Sequence, residues 1–267
     1  MEPVKIFVGT PANNEDLEAQ AVLDYSLRAH ASRPLEVTFM MLSRDPATFW
    51  YSDPQRKLGW RTEGWATPFS ALRWGIPAAC DFQGRAIYMD SDMIAMADIA
   101  ELWTQPMPEG KIVLAKREED GKNVASCVML WDCAAARGKL PEINALKSVP
   151  GRYKDIRHSL GNLAGEYAGD WNCRDRQDLP KYESILDPKI KILHYTEIPT
   201  QPSHKHARAR LKREGKGHWA TQPDRPHPRP EVNVLFDRLL AEAIAAGRGP
   251  ETFRIAPEFG DYARKAA

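Results

Sequence analysis

The stretch RAIYMDSDMIAMADIAELW, residues 85–103, decides the fold of this chain. Its apolar run at residues 86–89 is short and partly β-branched and aromatic, which predicts a buried strand of a sheet. Asp90 and Asp92 follow where this strand ends. In open α/β sheets ligands bind at the carboxyl ends of the strands, and two carboxylates there can hold a hard divalent cation. The stretch therefore indicates a metal and phosphate site at the edge of a sheet.

A turn or helix-cap role for the two aspartates is the alternative interpretation. In a chain of this length about one D-x-D sequence is expected by chance, and this chain contains one. Its position favours the metal site, because a turn would require neither the apolar strand before Asp90 nor the apolar segment at residues 99–103, which Asp98 precedes. We therefore expect Asp90 and Asp92 to bind a cation.

Length and composition suit one large domain, or one domain with an appendage. The chain has 267 residues and a formal net charge of +1, so no nucleic-acid partner is indicated. No apolar run approaches the ~18 residues of a membrane span, which leaves peripheral membrane contact open. We expect a cytoplasmic location and reduced thiols, because neither a secretory leader nor a C-x-x-C pair accompanies the cysteines, which are Cys80, Cys127, Cys133 and Cys173.

Alternating strand and helix signals predict an α/β fold. The chain opens with a strand at residues 5–10, a helix at residues 17–30 and a strand at residues 35–42, a unit that implies a parallel sheet. The sequence lacks the G-x-G-x-x-G dinucleotide fingerprint, which argues against a nicotinamide cofactor. Further strands are predicted at residues 86–89, 112–116, 124–131 and 190–193.

The segment before the aspartates has two features of interest. A helix is predicted at residues 69–80, ending near Pro77, and it contains Arg73. A lone helical Arg is usually solvated or paired, but here its planar fork could reach a phosphate. The loop at residues 45–63 is rich in aromatic side chains, for which local packing is the favoured role and stacking on a sugar face the alternative.

His194 is a third candidate metal ligand. A lone histidine is more often structural, but His194 ends the predicted strand at residues 190–193, just as Asp90 ends its own strand. A neutral imidazole readily joins carboxylates on a transition cation such as Mn²⁺. The similar placement of His194 and the aspartates favours a shared site.

A basic segment follows His194. Residues 203–229 contain eight Lys or Arg and two acidic residues, a net charge of +6. The glycines and prolines of this segment indicate a mobile loop. The sequence leaves three roles open for it, which are an inert loop, a lid over a diphosphate and a contact for the acceptor. An amphipathic helix predicted at residues 232–247 is expected to pack on the domain or on a partner subunit.

Taken together, these motifs resemble those of glycosyltransferase family 8, and in particular those of its bacterial-type members. The resemblance covers about residues 4–220. It implies a GT-A-like fold with a Rossmann-like, mostly parallel central sheet flanked by helices. The matching stretches are FSALRWGIPAAC, RAIYMDSDMIAMADIAELW, SCVMLWDC, WNCRD and ILHYTEIPTQP.

The resemblance implies roles for single residues. Asp90 and Asp92 match the metal-binding D-x-D of the family, and His194 matches its metal-ligating histidine, with Mn²⁺ (or Mg²⁺) as the cation. Ser126 lies where the family keeps a small polar residue facing the donor sugar, and Gly9 and Thr10 lie where the first strand meets the base. The full set of implied donor contacts is Gly9, Thr10, Arg73, Ser91, Ser126 and Lys205.

The chain departs from the family pattern at two points. The family motif H-x-x-G-x-x-K-P-W is one residue longer here, with Gln201 near the place of the Lys and Ser203 in place of the Trp. Lys205 or His206 could substitute for the missing Lys. The group on the β-face of the donor sugar has no match, so no catalytic nucleophile is assigned.

The resulting hypothesis is a GT-A domain at residues 1–202 with a basic, Pro-rich extension and a helix at residues 203–267 packed on it. The expected function is retaining, metal-dependent transfer of a hexose from a UDP-linked donor to a glycan or surface polysaccharide. The alternative is a nucleotide-sugar or glycan-binding protein without turnover. A phosphohydrolase with Asp90 as nucleophile is disfavoured, since Ile94 stands at the last place of D-x-D-x-[TV].

Overall fold

The alternating signals give an α/β architecture in the computed structural model, which describes residues 2–121 and 123–262. The strands are β1 (Val4–Gly9), β2 (Leu35–Met40), β3 (Ser52–Asp53), β4 (Leu58–Gly59), β5 (Arg85–Asp90), β6 (Met93–Ala95), β7 (Val113–Arg117), β8 (Val124–Asp132), β9 (Ala164–Gly165), β10 (Cys173–Arg174) and β11 (Ile192–His194). The α-helices are α1 (Leu17–His30), α2 (Ile76–Ala79), α3 (Ala100–Trp103), α4 (Ile143–Ser148), α5 (Tyr153–Leu163), α6 (Pro202–Arg213) and α7 (Pro230–Ala245). Short 3₁₀ helices cover Leu72–Gly75, Leu179–Lys181, Ile198–Thr200 and Pro250–Phe253.

The central sheet has six strands in the order β2-β1-β5-β8-β7-β9. Only β8 runs against the others, because it pairs antiparallel with both β5 and β7, while the remaining neighbours pair in parallel. The predicted α/β fold with a mostly parallel central sheet is therefore confirmed.

The apolar run at residues 86–89 lies in the middle of this sheet. All four side chains are fully buried, with Ala86 and Tyr88 in the hydrophobic core on one face and Ile87 and Met89 in the core on the other. A strand covered on both faces needs a continuous apolar sequence rather than an alternating one. The strand ends at Asp90, which pairs in register with Gly9 of β1.

A second, three-stranded sheet joins the two parts of the predicted metal site. Its order is β10-β11-β6, and β6 begins directly after Asp92. β11 runs antiparallel to β6, with His194 opposite Met93. His194 thus ends a strand, as predicted, but that strand belongs to the small sheet and not to the central one.

The C-terminal helices pack against α1. Ala21 and Val22 of α1 share a hydrophobic cluster with Val232 and Leu235 of α7. The helix predicted at residues 232–247 is found at Pro230–Ala245, where these contacts join it to α1. The division of the chain at residue 202 stays a prediction, and its last five residues, 263–267, lie outside the described part.

The basic segment is not the loop that its glycines and prolines indicate. Up to Arg213 it is the helix α6, in which Arg210 is buried and pairs with Glu18 of α1 at 2.8 Å. The expectation of a mobile loop is therefore wrong for this part, because a buried ion pair fixes it to α1. Other cations of the segment also have carboxylate partners, in the pairs Arg208–Asp224, Lys216–Glu258 and Arg229–Glu231.

The helix predicted at residues 69–80 is also different from the expectation. A 3₁₀ helix at Leu72–Gly75 leads directly into α2, so the helical backbone begins three residues later than predicted and ends at Ala79, close to Pro77. Pro77 stands in the first turn of α2, where its missing N–H has no helical partner to lose. In the aromatic-rich loop at residues 45–63, Trp60 is buried and its ring centroid lies 5.9 Å from that of Trp50. This contact supports local packing as the role of the aromatic side chains in that loop.

All four cysteines are free thiols.

Within the described residues, none of the helices has both the length and the apolar character that crossing a membrane requires.

Candidate functional site

A cavity of about 190 Å³ opens where β5 and β11 end. Among its lining residues are five that the sequence singled out, namely Arg73, Asp90, Ser91, Asp92 and His194. These positions span more than a hundred residues of sequence, and the two sheets bring them together. Their roles in binding stay predictions, but their convergence is a property of the fold.

Asp90 is fixed by two donors on one of its oxygens. Arg73 Nη2 lies 3.0 Å from Asp90 Oδ1, and the Tyr88 hydroxyl donates to the same oxygen. Since both contacts engage Oδ1, the carboxylate is oriented by the protein before any ligand arrives. Charge-assisted bonds of this kind are stronger than neutral ones, and both donors are buried.

Arg73 is itself held by the protein. Its Nε donates to the Ser70 carbonyl at 2.8 Å, its Nη1 donates to Ser126 Oγ at 3.2 Å, and its guanidinium carbon lies 4.6 Å from the Tyr88 ring centroid. Burial lowers the pKa of Arg73, but the Asp90 carboxylate and other neighbours outweigh it, so its pKa is raised. The planar fork therefore orients Asp90 and Ser126, and its contact with a phosphate stays a prediction.

Asp92 and His194 face each other across the cavity wall. His194 Nε2 lies 3.2 Å from Asp92 Oδ1, while Nδ1 of the same ring lies 2.8 Å from the Asn172 amide oxygen. Because Asn172 presents an acceptor, Nδ1 carries the ring proton and Nε2 keeps its lone pair. Gln201 Nε2 donates to the other oxygen, Asp92 Oδ2, at 2.7 Å.

This arrangement leaves two acceptors pointing at each other. Asp92 Oδ1 is buried and has no hydrogen-bond donor among the described residues. A proton or a cation between Asp92 and His194 resolves the conflict. Burial lowers the pKa of His194, but the charge of Asp92 and the hydrogen bond that the protonated ring makes to Asp92 outweigh burial and raise the pKa above its usual value. The residue types of Asp90, Asp92 and His194 fit a divalent cation, and the ligand set and the identity of the ion stay predictions.

Cys127 is part of this constellation, although the sequence suggested only a core thiol. An Asp90 oxygen, the Cys127 Sγ and a His194 ring nitrogen all lie within 4.8 Å of one another. Burial raises the pKa of the Cys127 thiol well above its usual value. The neutral thiol lines the cavity as a small, soft group beside the oxygen ligands.

Four predicted donor contacts lie outside the residues that line the cavity, namely Gly9, Thr10, Ser126 and Lys205. Thr10 is buried, and its Oγ1 accepts a hydrogen bond from Gln20 Nε2 at 2.6 Å. Gly9 is packed so closely that an added Cβ would lie 2.7 Å from the Tyr88 hydroxyl. Ser126 contacts Arg73, as described above.

Lys205 is not brought to the cavity. It lies on the exposed face of α6 and lines a separate groove with Asp224 and Asp237. The physical reason is helical periodicity, because Ser203 on the same helix faces the cavity and Lys205 lies two positions further on. The missing lysine of the sequence motif is thus not replaced by Lys205 in this structure. Gln201 and Ser203 occupy that part of the wall.

A second polar cluster borders the cavity at the start of α1. Asp16 lines the cavity and accepts hydrogen bonds from His218 Nε2 at 2.7 Å and Trp219 Nε1 at 3.2 Å. Burial raises the pKa of Asp16, but these partners outweigh it and hold the pKa below its usual value. The ring of His204 lies 4.5 Å from that of His218, and burial lowers the pKa of His204 to about 4.

This cluster has the residue types of a metal site, but one of its histidines carries its proton on the nitrogen that would bind the ion. Ligand atoms of Asp16, His204 and His218 lie within 4.8 Å of one another. However, His218 Nδ1 accepts the backbone N–H of Ala220 at 3.0 Å, so its ring proton is on Nε2 and is donated to Asp16. His218 therefore has no lone pair left for a cation, and the cluster joins the C-terminal segment to α1.

No protein-family model matches this chain. Among curated proteins, Protein CDI of Arabidopsis thaliana is 36% identical over 104 residues, which are 38% of this chain and 36% of CDI. The matched part thus spans little more than a third of the relative. This similarity alone does not place the chain in a family.

Solved structures share the fold. The galactosyltransferase LgtC, in complex with donor and acceptor sugar analogues, matches 90% of this chain and 96% of its own with a TM-score of 0.55 and 12% identity. The glycosyltransferase GlyE of Streptococcus pneumoniae TIGR4 matches 95% of this chain and 67% of its own, with a TM-score of 0.52 and 16% identity. The bifunctional WbbM matches 75% of this chain and 46% of its own, with a TM-score of 0.55 and 12% identity. The chain therefore has the GT-A-like fold of these glycosyltransferases.

Proposed function

We propose that this protein is a metal-dependent, retaining glycosyltransferase that moves a hexose from a UDP-linked donor to a glycan acceptor in the cytoplasm. The observation that carries the proposal is the pairing of Asp92 with His194 beside Asp90, in a cavity at the strand ends of a glycosyltransferase fold. Two buried acceptors held face to face need a positive charge between them. In such a fold, the carboxyl ends of the strands are where ligands bind.

The residues around this site fit a divalent cation. Asp90, Asp92 and His194 would hold it, and when bound it would stabilise the negative charge that develops on the leaving diphosphate. Asn172 holds the His194 ring in the tautomer that a cation requires, and Gln201 orients Asp92. Such supporting contacts fix ligand geometry and affinity in metalloproteins.

The other groups of the cavity have separate tasks. Arg73 fixes Asp90 and adds positive charge near the position of the diphosphate. Ser91, which is buried and lines the cavity between the two aspartates, offers a hydroxyl to the donor. Asp16, on the wall near the start of α1, is ionised and can accept hydrogen bonds from donor hydroxyls. The group that acts on the β-face of the sugar is not assigned.

Calorimetric titration of UDP, GDP and their common sugar conjugates, first with Mn²⁺ and then with a chelator, tests the proposal. We expect one conjugate to bind strongly and only with the metal. Asp92→Asn should abolish this binding, whereas Asp155→Asn, an exposed position on α5, should leave it unchanged. Binding without turnover toward any acceptor would identify a nucleotide-sugar binding protein, and the absence of any metal-dependent binding would refute the proposal.

A further inference from the structure

A bulge in β8 lies at Cys127, beside the candidate metal site. The register between β7 and β8 shifts between Ala115 and Lys116, so that residues 126–128 of β8 have no opposite residue on β7. Bulges bend a strand and re-aim its side chains, and they are frequent next to active sites. On its other side β8 pairs with β5, and Cys127 lies beside the end of that strand, at Asp90.

Three different types of donor atom meet at this point. An Asp90 oxygen, the Cys127 sulfur and a His194 ring nitrogen lie within 4.8 Å of one another. Asp92 adds a second carboxylate, since its Oδ1 lies 3.2 Å from His194 Nε2. Zn²⁺ binds oxygen or nitrogen at about 2.0–2.2 Å and a thiolate at about 2.3 Å, so two ligands of one ion are at most about 4.5 Å apart. The spread of these atoms is therefore close to what a single ion of this class requires.

A core thiol is the alternative role for Cys127, and its surroundings argue against it. Cys133 shows what such a thiol looks like here, because it is fully buried within a hydrophobic cluster. Cys127 is instead partly exposed and lines the cavity. Burial and the charges of Asp90 and Asp92 raise the pKa of its thiol. The thiol is therefore neutral until a cation offsets those charges, and a thiol that coordinates a metal ion loses its proton.

We propose that Cys127 is a ligand of the metal site beside Asp90, Asp92 and His194, and that this sulfur makes the site select a thiophilic divalent cation such as Zn²⁺ over Mg²⁺ and Mn²⁺. The inference rests on the proposed function, because it takes the cation of that site as given. Carboxylate and water oxygens suit Mg²⁺ and Mn²⁺, whereas a thiolate favours Zn²⁺.

The binding step involves proton release and no redox change. The S–H bond of Cys127 breaks, and the sulfur lone pair forms the bond to the ion. The thiol proton passes to solvent, together with any proton that His194 carries on Nε2.

The change of selectivity in a Cys127 variant tests the proposal. Zn²⁺ binds most nitrogen and oxygen sites more tightly than Mn²⁺ does, so the order of affinities in the wild-type protein alone decides nothing. Cys127→Ser replaces the sulfur by a hydroxyl oxygen and should weaken Zn²⁺ binding about 100-fold while changing Mn²⁺ binding by less than about threefold. Competition with a metal-binding dye gives both constants. Cys80→Ser, at another partly exposed thiol outside the cavity lining, is the matched control and should change neither.

Co²⁺ reports on the bond itself, because cobalt bound by a thiolate has a charge-transfer absorption in the near ultraviolet. The Co²⁺-loaded wild-type protein and Cys80→Ser should show this band, and Cys127→Ser should lack it. The wild-type spectrum requires no variant, and thermal unfolding of the metal-free proteins shows whether each variant keeps its fold.

Co²⁺ binding without this band, or Zn²⁺ and Mn²⁺ affinities that fall by the same factor in Cys127→Ser, would overturn the inference. Nucleotide-sugar binding that still depends on Mn²⁺ would then leave the proposed function standing. A band that disappears only in Cys127→Ser, in a protein that binds no nucleotide sugar, would support the sulfur-containing metal site and refute the proposed function.

Discussion

The Nε2 atom of His194 lies 3.2 Å from Oδ1 of Asp92, with both atoms acting as acceptors when the ring is neutral. The Asn172 oxygen at Nδ1 maintains this arrangement, because it keeps the ring proton on the far side. Because both acceptor atoms are buried, water does not relieve the repulsion between them. The pair is complete only with a positive charge between its side chains, which either a proton on His194 or the proposed cation supplies.

Asn172→Ala should weaken Mn²⁺ binding about 10- to 100-fold, because His194 loses the contact that fixes its tautomer and ring orientation. Isothermal titration of Mn²⁺, or the enhancement of water-proton relaxation by bound Mn²⁺, measures this directly. His194→Ala removes the ligand itself and should have the larger effect. If Asn172→Ala binds Mn²⁺ as the wild-type protein does, the ring is oriented by other contacts and Asn172 has no part in the site.

Arg73→Ala should destabilise the fold by about 3–5 kcal/mol, because it leaves the buried Asp90 carboxylate without its cation. Urea unfolding measures the loss. In a double-mutant cycle, Asp90→Ala should cost much less in the Arg73→Ala background than in the wild-type protein. The exposed pair of Arg152 and Asp155 provides the control, where Arg152→Ala should cost below about 1 kcal/mol. A small, additive effect of Arg73→Ala would show that its fork is free for ligands.

Much of this architecture could be predicted from local patterns. The helix at Leu17–His30 has the bounds that its apolar spacing indicates, and the strand ending at Asp90 follows from one continuous apolar run. These features depend on residues that are close in sequence. The two aspartates and His194 could be proposed as partners because each ends a strand signal.

Long-range contacts could not be predicted in this way. Asn172 stands in a motif that looked specific in residue type, but its contact with His194 requires the small sheet, whose strands are two or three residues long. The glycines and prolines after His194 indicated a loop, whereas the buried pair of Arg210 with Glu18, nearly two hundred residues apart, fixes a helix. Tertiary contacts of this kind override local propensity.

Gly9→Ala should destabilise the protein by about 1–3 kcal/mol and weaken metal binding as well. The added Cβ would lie 2.7 Å from the Tyr88 hydroxyl and 2.9 Å from Phe69 Cδ2, so the Tyr88 ring must shift and its bond to Asp90 with it. Gly217→Ala is the matched control, since an added Cβ there meets nothing within 4 Å. Urea unfolding and Mn²⁺ titration of both variants measure the two effects. A Gly9→Ala protein with normal stability but weaker nucleotide binding would favour the direct base contact that the sequence suggested.

The free energy of unfolding should depend on pH through the ionisation of Glu15. Burial raises the pKa of this carboxyl to about 7 from an ordinary value of 4.5. Between these two values the folded protein keeps a proton that the unfolded chain has released, so the free energy of unfolding falls as the pH rises and the loss is complete above about pH 7. At 1.36 kcal/mol per unit of pKa, the full effect is on the order of 3 kcal/mol.

Glu15→Gln removes this titration while retaining an oxygen that can accept the Tyr262 hydroxyl, which lies 2.6 Å from Glu15 Oε2. The variant should match the wild-type protein in stability near pH 4 and exceed it by up to about 3 kcal/mol at pH 8. Urea unfolding at intervals of half a pH unit gives the difference curve, with Glu166→Gln at an exposed position as the control. A difference that does not change between pH 4 and pH 8 would mean that the carboxyl of Glu15 has the same pKa in the folded and in the unfolded protein.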